Sequence, residues 1–166
     1  MVILGIDPGF ALVGWGVVQY ERSSFKPILY DSISTPAHTP VEERLEQIYH
    51  ELSDIIEKTR PDAVAIEELF FNTNITTGIR VAEARGVILL CCRMHGVSIF
   101  EYTPSQVKQA VVGYGKAEKK QVIDMVTRIL HLPAPPKPDD TADALAIAIC
   151  HGHSGQSKLA SYYNVK

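Results

Sequence analysis

Two short apolar segments, each ending in a carboxylate, constrain the fold of this 166-residue chain more than any other feature. Val2–Ile6 is followed by Asp7, and Ala63–Ile66 is followed by Glu67. Short runs that are apolar at nearly every position are typical of strands buried on both faces of an α/β sheet. Because ligands of open α/β sheets gather where such strands end, the two carboxylates indicate the position of a functional site.

Two further strands and a long helix are predicted around this pair. Ala11–Tyr20 and Phe25–Ser34 are rich in β-branched and aromatic residues, and their short connections favour antiparallel hairpins with the first strand. A three-and-four residue spacing of apolar positions then predicts a helix up to Arg60. Thr39 would be its N-cap, and Glu42 would complete a capping box.

The remaining elements complete a single domain. They are a strand at Val97–Tyr102 and helices at Ile75–His95, from Thr103-Pro104, at Ala117–Leu132 and at Asp140–Cys150. The predicted order is βββαβαβααα, which is an α/β fold with a five-stranded mixed sheet flanked by helices. We expect residues 1–153 to form the domain and residues 154–166 to be a flexible C-terminal tail.

Composition excludes several classes of protein. Hydrophobic residues make up 46% and charged residues 21%, which is a globular and not a disordered composition. No apolar run approaches the roughly 20 residues of a membrane span, and the first residues do not resemble a signal peptide. The three cysteines are an odd number without a Cys-x-x-Cys pair, so reduced thiols in a cytoplasmic protein are expected and a structural zinc site is not.

Two aspartates near the C-terminus add to the two strand-end acids. Asp140 and Asp143 are three residues apart at the start of the last predicted helix, so they share one face. If all four carboxylates meet, a hard divalent cation must balance them, and oxygen ligands favour Mg²⁺ or Mn²⁺ over Zn²⁺. Two such ions could clamp a phosphodiester, one activating water and one stabilising the leaving oxygen.

Simpler roles exist for some of these acids. Asp140 could cap its helix, and Asp7 could begin an Asx-turn before Pro8-Gly9. Glu67 has no comparable local role, because a buried carboxylate that closes an apolar strand needs either water or a partner.

A basic segment lies in a chain whose net charge is −3. Residues 104–128 contain five basic and two acidic side chains, the basic ones being Lys108, Lys116, Lys119, Lys120 and Arg128. These residues either form a solvated helix face or contact nucleic-acid phosphates without sequence preference. Phe70 and Phe71 follow the second acidic strand, and one of them is a candidate platform for base stacking while the other belongs to the core.

The motifs, taken together, resemble those of RuvC-type Holliday-junction resolvases. The matching segments are VILGIDPG at 2–9, AIEELF at 65–70, ARG at 84–86, QVKQ at 106–109, VVG at 111–113, AEK at 117–119 and DTADALAIA at 140–148. They occur in the family's order and at matching separations. Only the segment beyond about Ser154 lies outside the resemblance.

The resemblance implies an RNase H-like fold and a homodimer that binds a four-way DNA junction. Such a dimer would nick two strands of like polarity symmetrically with divalent metal, and would work beside a branch-migration helicase complex of the RuvA and RuvB type. The family's metal-binding acids fall on Asp7, Glu67, Asp140 and Asp143. Its basic site residues fall on Lys108 and Lys119, and its base-stacking aromatic falls on Phe70.

Other functions remain open on the sequence. One alternative is a related RNase H-like nuclease that acts on RNA, and another is a non-catalytic nucleic-acid-binding module with the same fold. An actin-like sugar kinase or ATPase also opens with a strand, an aspartate and a glycine, but that architecture needs two such domains. The apolar helix at Ile75–His95 is the predicted dimer face, and the acidic helix over Glu42–Glu57 is expected to face away from DNA.

Overall fold

The two apolar segments form neighbouring parallel strands at the centre of a five-stranded sheet. In the computed structural model β1 (Val2–Asp7) pairs with β4 (Ala63–Glu67), with Ile3 opposite Ala63 and Ile6 opposite Ile66. The model describes residues 1–69 and 75–154, without the side chains of residues 75–77. Both strands are buried along most of their length, as nearly continuous apolar sequences require.

The other elements follow in the predicted order. The strand order in the sheet is β3-β2-β1-β4-β5, where β1, β2 and β3 are antiparallel neighbours and β4 and β5 are parallel. The further bounds are β2 at Leu12–Glu21, β3 at Ser24–Ser34, α1 at Val41–Thr59, α2 at Ile75–Met94, β5 at Ser98–Tyr102, α3 at Pro104–Val112, α4 at Lys119–Ile129 and α5 at Asp139–Ser154. The predicted α/β fold with a mixed five-stranded sheet is therefore confirmed.

Helices cover both faces of the sheet and create two cores. One core lies between the sheet and α1 with α2, and it contains Leu4, Ile6, Ile48 and Ile88. The other lies between the sheet and α3, α4 and α5, and its members include Ile3, Val107, Val126 and Leu145. Adjacent residues of β1 thus point into different cores, which is the two-residue period of a strand with both faces covered.

The predicted capping box at the start of α1 is wrong. The N-cap is Pro40, without a side-chain cap, and the helix begins at Val41. Pro40 has an extended conformation and its carbonyl accepts from the Arg44 N–H at 3.2 Å, so the first helical hydrogen bond leaves Thr39 outside the helix. A capping box forms instead at α3, where the Thr103 hydroxyl accepts from the Gln106 N–H at 3.2 Å.

Two other helix boundaries differ from the prediction. α4 is shorter than Ala117–Leu132, because the backbone of Glu118 is extended and its N–H donates to the Gln121 side chain at 2.8 Å. α5 continues beyond Cys150 to Ser154. Residues 155–166 lie outside the described part of the chain, so the predicted flexible tail stays a prediction.

Helix α5 lies unusually close to β1 and β2 because glycines face it. A Cβ atom at Gly5 would collide with the Ala144 carbonyl, and one at Gly14 would collide with the Asp140 carbonyl. Four of the buried residues of α5 are alanines, which reduces the bulk on the other side of the contact. Backbone-to-backbone packing of this kind fixes the position of the helix N-terminus relative to the sheet.

All three cysteines are free and buried. Burial raises the pKa of the Cys91 thiol to about 11 and that of the Cys150 thiol to about 12. Burial together with the neighbouring Cys91 raises the pKa of Cys92 to about 12. Among the described residues, no helix has the length and apolar character needed to cross a bilayer.

Candidate active site

The first two predicted acids lie at the same edge of the sheet, one strand apart. Asp7 is the last residue of β1 and Glu67 is the last residue of β4. Because these strands are parallel neighbours with Ile6 opposite Ile66, their carboxylates leave the sheet side by side. Both side chains are partly buried, as expected where an interior strand first reaches the surface.

The second pair of acids is brought to this edge by the contact between α5 and β2. Gly14 is the β2 partner of Asp7, and it is also the glycine that meets the Asp140 carbonyl. Asp140 therefore lies next to the end of β1, and Asp143 follows one helical turn later on the same face. Two glycines, Gly5 and Gly14, and the alanines of α5 position the acids of two distant segments.

The pKa values of these carboxylates reflect their burial first and their mutual repulsion second. Burial, with the charges of Asp143, Glu67 and Asp140, raises the pKa of Asp7 to about 8. Burial and Asp143 raise that of Glu67 to about 7, against the opposing effect of Lys108 and Lys119. Burial also raises the pKa of Asp143, against the opposing effect of the hydrogen bond from Lys119. Shifts of this size at the edge of a sheet are typical of functional sites.

Lys119 is the counter-charge of the acidic cluster. Its Nζ lies 3.1 Å from Asp143 Oδ2 and 3.6 Å from Asp139 Oδ2. Burial alone would lower the pKa of Lys119, but the hydrogen bond to Asp143 and the nearby aspartates outweigh it and raise the pKa. The first residue of α4 thus stays protonated and neutralises part of the charge at the start of α5.

A small cavity joins acids and lysines. Its volume is about 240 Å³, and it is lined by Glu67, Asp143, Lys108 and Lys119 with the apolar residues Pro104, Val107 and Val122. Lys108 projects from α3 and Lys119 from α4, so the two basic residues approach the carboxylates from different helices. The cavity therefore combines oxygen ligands for a cation with positive groups suited to a phosphate.

The carboxylates do not form a ready-made metal cage. Over the described residues, no group of three or more His, Cys, Asp or Glu side chains is arranged to hold a metal ion. One of the four predicted ligands is instead paired with a lysine, since Lys119 Nζ lies 3.1 Å from Asp143 Oδ2. The donor set itself, which consists of carboxylate oxygens alone, fits Mg²⁺ or Mn²⁺.

The remaining predicted residues are placed less centrally. Lys116 and Lys120 are exposed and do not line this cavity. Phe70 lies outside the described residues, so its predicted stacking role is untested. A larger cavity of about 590 Å³ lies beside the start of β4, with Arg60, Asp62 and His95 on its wall, and it contains none of the predicted site residues.

Sequence reasoning missed one acid and one glycine of the site. Asp139 pairs with Lys119, and Gly14 sets the depth at which α5 packs. The doublet Asp139-Asp140 was a visible signal for the acid, because both residues lie in the first turn of the same apolar helix. No signal in the sequence identifies Gly14 as a contact of a residue 126 positions later.

Sequence comparison with known proteins matches this chain to one family over almost the whole domain. The family model for RuvC, described as crossover junction endodeoxyribonuclease RuvC, matches residues 3–151. The crossover junction endodeoxyribonuclease RuvC of Alkaliphilus metalliredigens is 55% identical over 166 residues, which is 100% of both chains. That of Ruminiclostridium cellulolyticum is 58% identical, over 93% of both chains.

Solved structures agree with the sequence matches. The structure of T. thermophilus RuvC in complex with Holliday junction substrate superposes with a TM-score of 0.90 at 34% identity, covering 99% of this chain and 100% of that one. The sheet topology and five helices are those of the RNase H-like fold, as predicted. With the family model spanning nearly the whole domain, this chain belongs to the crossover junction endodeoxyribonuclease RuvC family.

Proposed function

We propose that this protein is a structure-selective endodeoxyribonuclease that resolves four-way DNA junctions in recombination and repair by nicking two strands of like polarity. The observation that carries the proposal is the cluster of carboxylates with raised pKa values at the end of β1 and β4, beside two lysines. Family membership supplies the substrate class, since the relative from T. thermophilus was solved with a Holliday junction.

The residues proposed to hold divalent metal are Asp7, Glu67, Asp140 and Asp143, and the metal is Mg²⁺ with Mn²⁺ as a substitute. Two bound ions would supply an activated water and stabilise the leaving oxygen. The protein contributes the partly buried carboxylates, whose repulsion a cation relieves. It also supplies apolar walls beside the charged groups, since Pro104, Val107 and Val122 line the cavity.

Lys119 and Lys108 are proposed to act on the phosphate. Lys119 is exposed enough to leave Asp143 and follow a DNA oxygen, because about half of its side chain remains open to solvent. In that position it would stabilise the charge that develops on the phosphate. Lys108 would contact a neighbouring phosphate, and Lys116 and Lys120 would add electrostatic attraction from a greater distance. Phe70 would stack on a base near the junction centre.

The proposed dimer uses α2. Ile79, Leu90 and Met94 are 52%, 55% and 65% exposed, and their spacing places them on one side of the helix. A twofold dimer through this face would present two acidic sites to a substrate with approximate twofold symmetry. We expect Leu90→Asp to give monomers and Ile28→Asp, at an exposed site on edge strand β3, to leave the dimer intact in sedimentation. If both variants sediment with the same molecular mass, the assignment of the dimer interface to α2 is wrong.

The decisive experiment compares four-way DNA, linear duplex and structured RNA with and without Mg²⁺, and maps the products. The proposal expects paired symmetric nicks in the four-way DNA alone, and only with the metal. Equal cutting of all three substrates would favour an unselective or RNA-directed nuclease, and binding without any metal-dependent product would favour a non-catalytic module. The proposed setting is the cytoplasm, with a helicase complex of the RuvA and RuvB type as partner.

A further inference from the structure

The first turns of α1 carry an arginine whose charge no described carboxylate neutralises. Arg44 is half-buried, and the ion pairs formed among the described side chains do not include it. The sequence explains why. The residues one turn away on either side are Pro40, Val41, Gln47 and Ile48, so the otherwise acidic helix offers Arg44 no carboxylate at the spacing where a pair could form.

Arg44 is nevertheless held in one position. Its Nε donates to the Thr35 hydroxyl oxygen at 2.8 Å, and that hydroxyl in turn donates to the Phe10 carbonyl at 2.7 Å. The guanidinium carbon lies 3.9 Å from the centroid of the Phe10 ring. A guanidinium has five N–H donors, so these contacts fix the group and leave donors for a further partner.

The strand register places Arg44 at the same edge of the sheet as the acids. Asp7 is opposite Gly14, and Leu12 is opposite Ser34, so Phe10 and Thr35 lie just beyond the end of the sheet where β1 terminates. Phe10 follows Asp7 by three residues, and β3 is two strands from β1. Ser32 is the β3 residue level with Asp7, and Thr35 lies three residues beyond it. At ~5 Å between strands and ~3.3 Å per residue, Thr35 lies roughly 14 Å from Asp7.

An anion is the partner that this arrangement fits. A cation near the N-terminus of a helix is electrostatically unfavourable, because the partial positive charge of the helix is at that end. Arg44 gains nothing there from the helix, whereas a bound anion would interact favourably with both. Phosphates follow each other along a DNA strand at ~3.4 Å of duplex axis, so a strand lying across the acids presents phosphates at this distance.

We propose that Arg44 contacts a phosphate of the DNA backbone beside the acidic site, and that Thr35 and Phe10 hold its guanidinium ready for that contact. The inference rests on the proposed function, because it takes junction DNA as the ligand. It adds a positively charged contact from the face of the sheet opposite α3 and α4, where the lysines lie. It departs from the expectation that the acidic helix faces away from DNA, because Arg44 lies near the N-terminal end of α1, at this edge of the sheet.

The test measures the affinity for a four-way junction as a function of salt, in protein carrying Asp143→Asn so that no cleavage occurs. Arg44→Gln removes the charge but keeps an N–H donor within reach of Thr35. We expect about tenfold weaker binding and a salt slope that is lower by about one, whereas Arg44→Lys keeps the slope. Arg22→Ala is the control, since Arg22 is exposed in the hairpin between β2 and β3, at the other end of the sheet.

Each other result has a defined meaning. If Arg44→Gln lowers thermal stability but leaves the salt slope unchanged, the arginine only fastens Thr35 and Phe10, and the inference is wrong. An equal change of slope in Arg22→Ala would reduce the effect to net charge and would overturn it as well. If the parent protein binds no junction DNA while remaining folded, the proposed function itself fails and the inference fails with it.

Discussion

The acidic site has two halves that the fold builds in different ways. Asp7 and Asp140 are joined through backbone packing, because Gly14 pairs with the first and touches the carbonyl of the second. Glu67 is joined to them only by the parallel pairing of β4 with β1, and its side chain opens into a cavity shared with Lys108 and Lys119. The first half is fixed by close packing between the backbones of β2 and α5. The second half is lined by the long side chains of Lys108 and Lys119.

This difference explains how predicted ligands can converge without forming a cage. The backbone fixes where the carboxylate side chains begin, whereas Asp143 Oδ2 is held by the long side chain of Lys119. A cation would draw Glu67 and Asp143 towards the fixed half, and Lys119 would have to release Asp143. The following predictions test that division between a fixed and an adjustable half, beginning with the largest expected effect.

Removal of one carboxylate from either half should abolish cleavage. We expect Asp7→Asn and Glu67→Gln each to lower the cleavage rate by more than about 100-fold, because both are proposed to hold the metal directly. Junction binding should be kept or tightened, since a negative charge is lost near DNA phosphates. Single-turnover cleavage at saturating Mg²⁺, with binding measured in parallel, checks this. A near-normal rate in either variant would remove that residue from the ligand set.

Gly14→Ala should damage the fixed half. Its Cβ would have to displace the start of α5, which we expect to cost about 1–3 kcal/mol in the free energy of unfolding and most of the cleavage activity. Denaturant unfolding and junction cleavage measure the two effects. Gln19→Ala, at an exposed position of the same strand, is the matched control and should change neither. Normal stability and normal activity in Gly14→Ala would show that α5 does not need this contact.

Lys119 and Lys120 allow a matched test of the adjustable half, since they are neighbours of equal charge in the first turn of α4. Only Lys119 lines the cavity and pairs with Asp143. Lys119→Ala should slow cleavage about 10- to 100-fold and flatten the salt dependence of binding, whereas Lys120→Ala should leave the rate nearly unchanged. If the two substitutions have equal effects, Lys119 is only a solvated surface charge and does not act on the phosphate.

The pH dependence of stability should reveal the burial of Asp7 and Glu67 together with the repulsion between the acids of the two halves. The folded state raises the pKa of Asp7 from 3.8 to about 8 and that of Glu67 from 4.5 to about 7, so it binds protons that the unfolded chain releases. The corresponding stability is fully present below about pH 4 and is lost as the pH rises through about 7 to 8. In a chelator, the Tm should therefore fall between about pH 5 and about pH 8.

Two comparisons sharpen this prediction. Asp7→Asn should reduce the dependence on pH, whereas Asp54→Asn, at an exposed position of α1, should not. Addition of Mg²⁺ at about pH 8 should raise the Tm of the native sequence more than that of Asp7→Asn. A flat pH profile for the native sequence in chelator would contradict the raised pKa values.

Much of the fold was accessible from local patterns. The apolar runs at β1 and β4 identified the interior strands, and the acids at their ends could be placed because parallel neighbours end at one edge. The capping box at Thr39 failed because the sequence pattern does not say whether Pro40 stands inside or before the first helical turn. The ligand role of the four acids and the stacking role of Phe70 stay predictions.

What the sequence could not predict are contacts between distant segments. From the sequence, Gly14 is an ordinary strand residue, and only the folded structure shows that α5 packs against it. In the same way, Arg44 is one of many charges in α1, and only the structure shows its contacts with Thr35 and Phe10. The buried His151, whose Nδ1 lies 2.7 Å from the Tyr102 hydroxyl, is another case, since a position near a chain terminus favours solvent. Each depends on the helices and strands having already come together.

The burial of every sulfhydryl group has a practical consequence for work on this molecule. Because Cys91, Cys92 and Cys150 stay protonated and covered, alkylating reagents at neutral pH should leave the native protein unmodified. A single cysteine introduced at an exposed site would then be the one reactive position. A fluorophore or crosslinker could be attached there without first removing the natural residues.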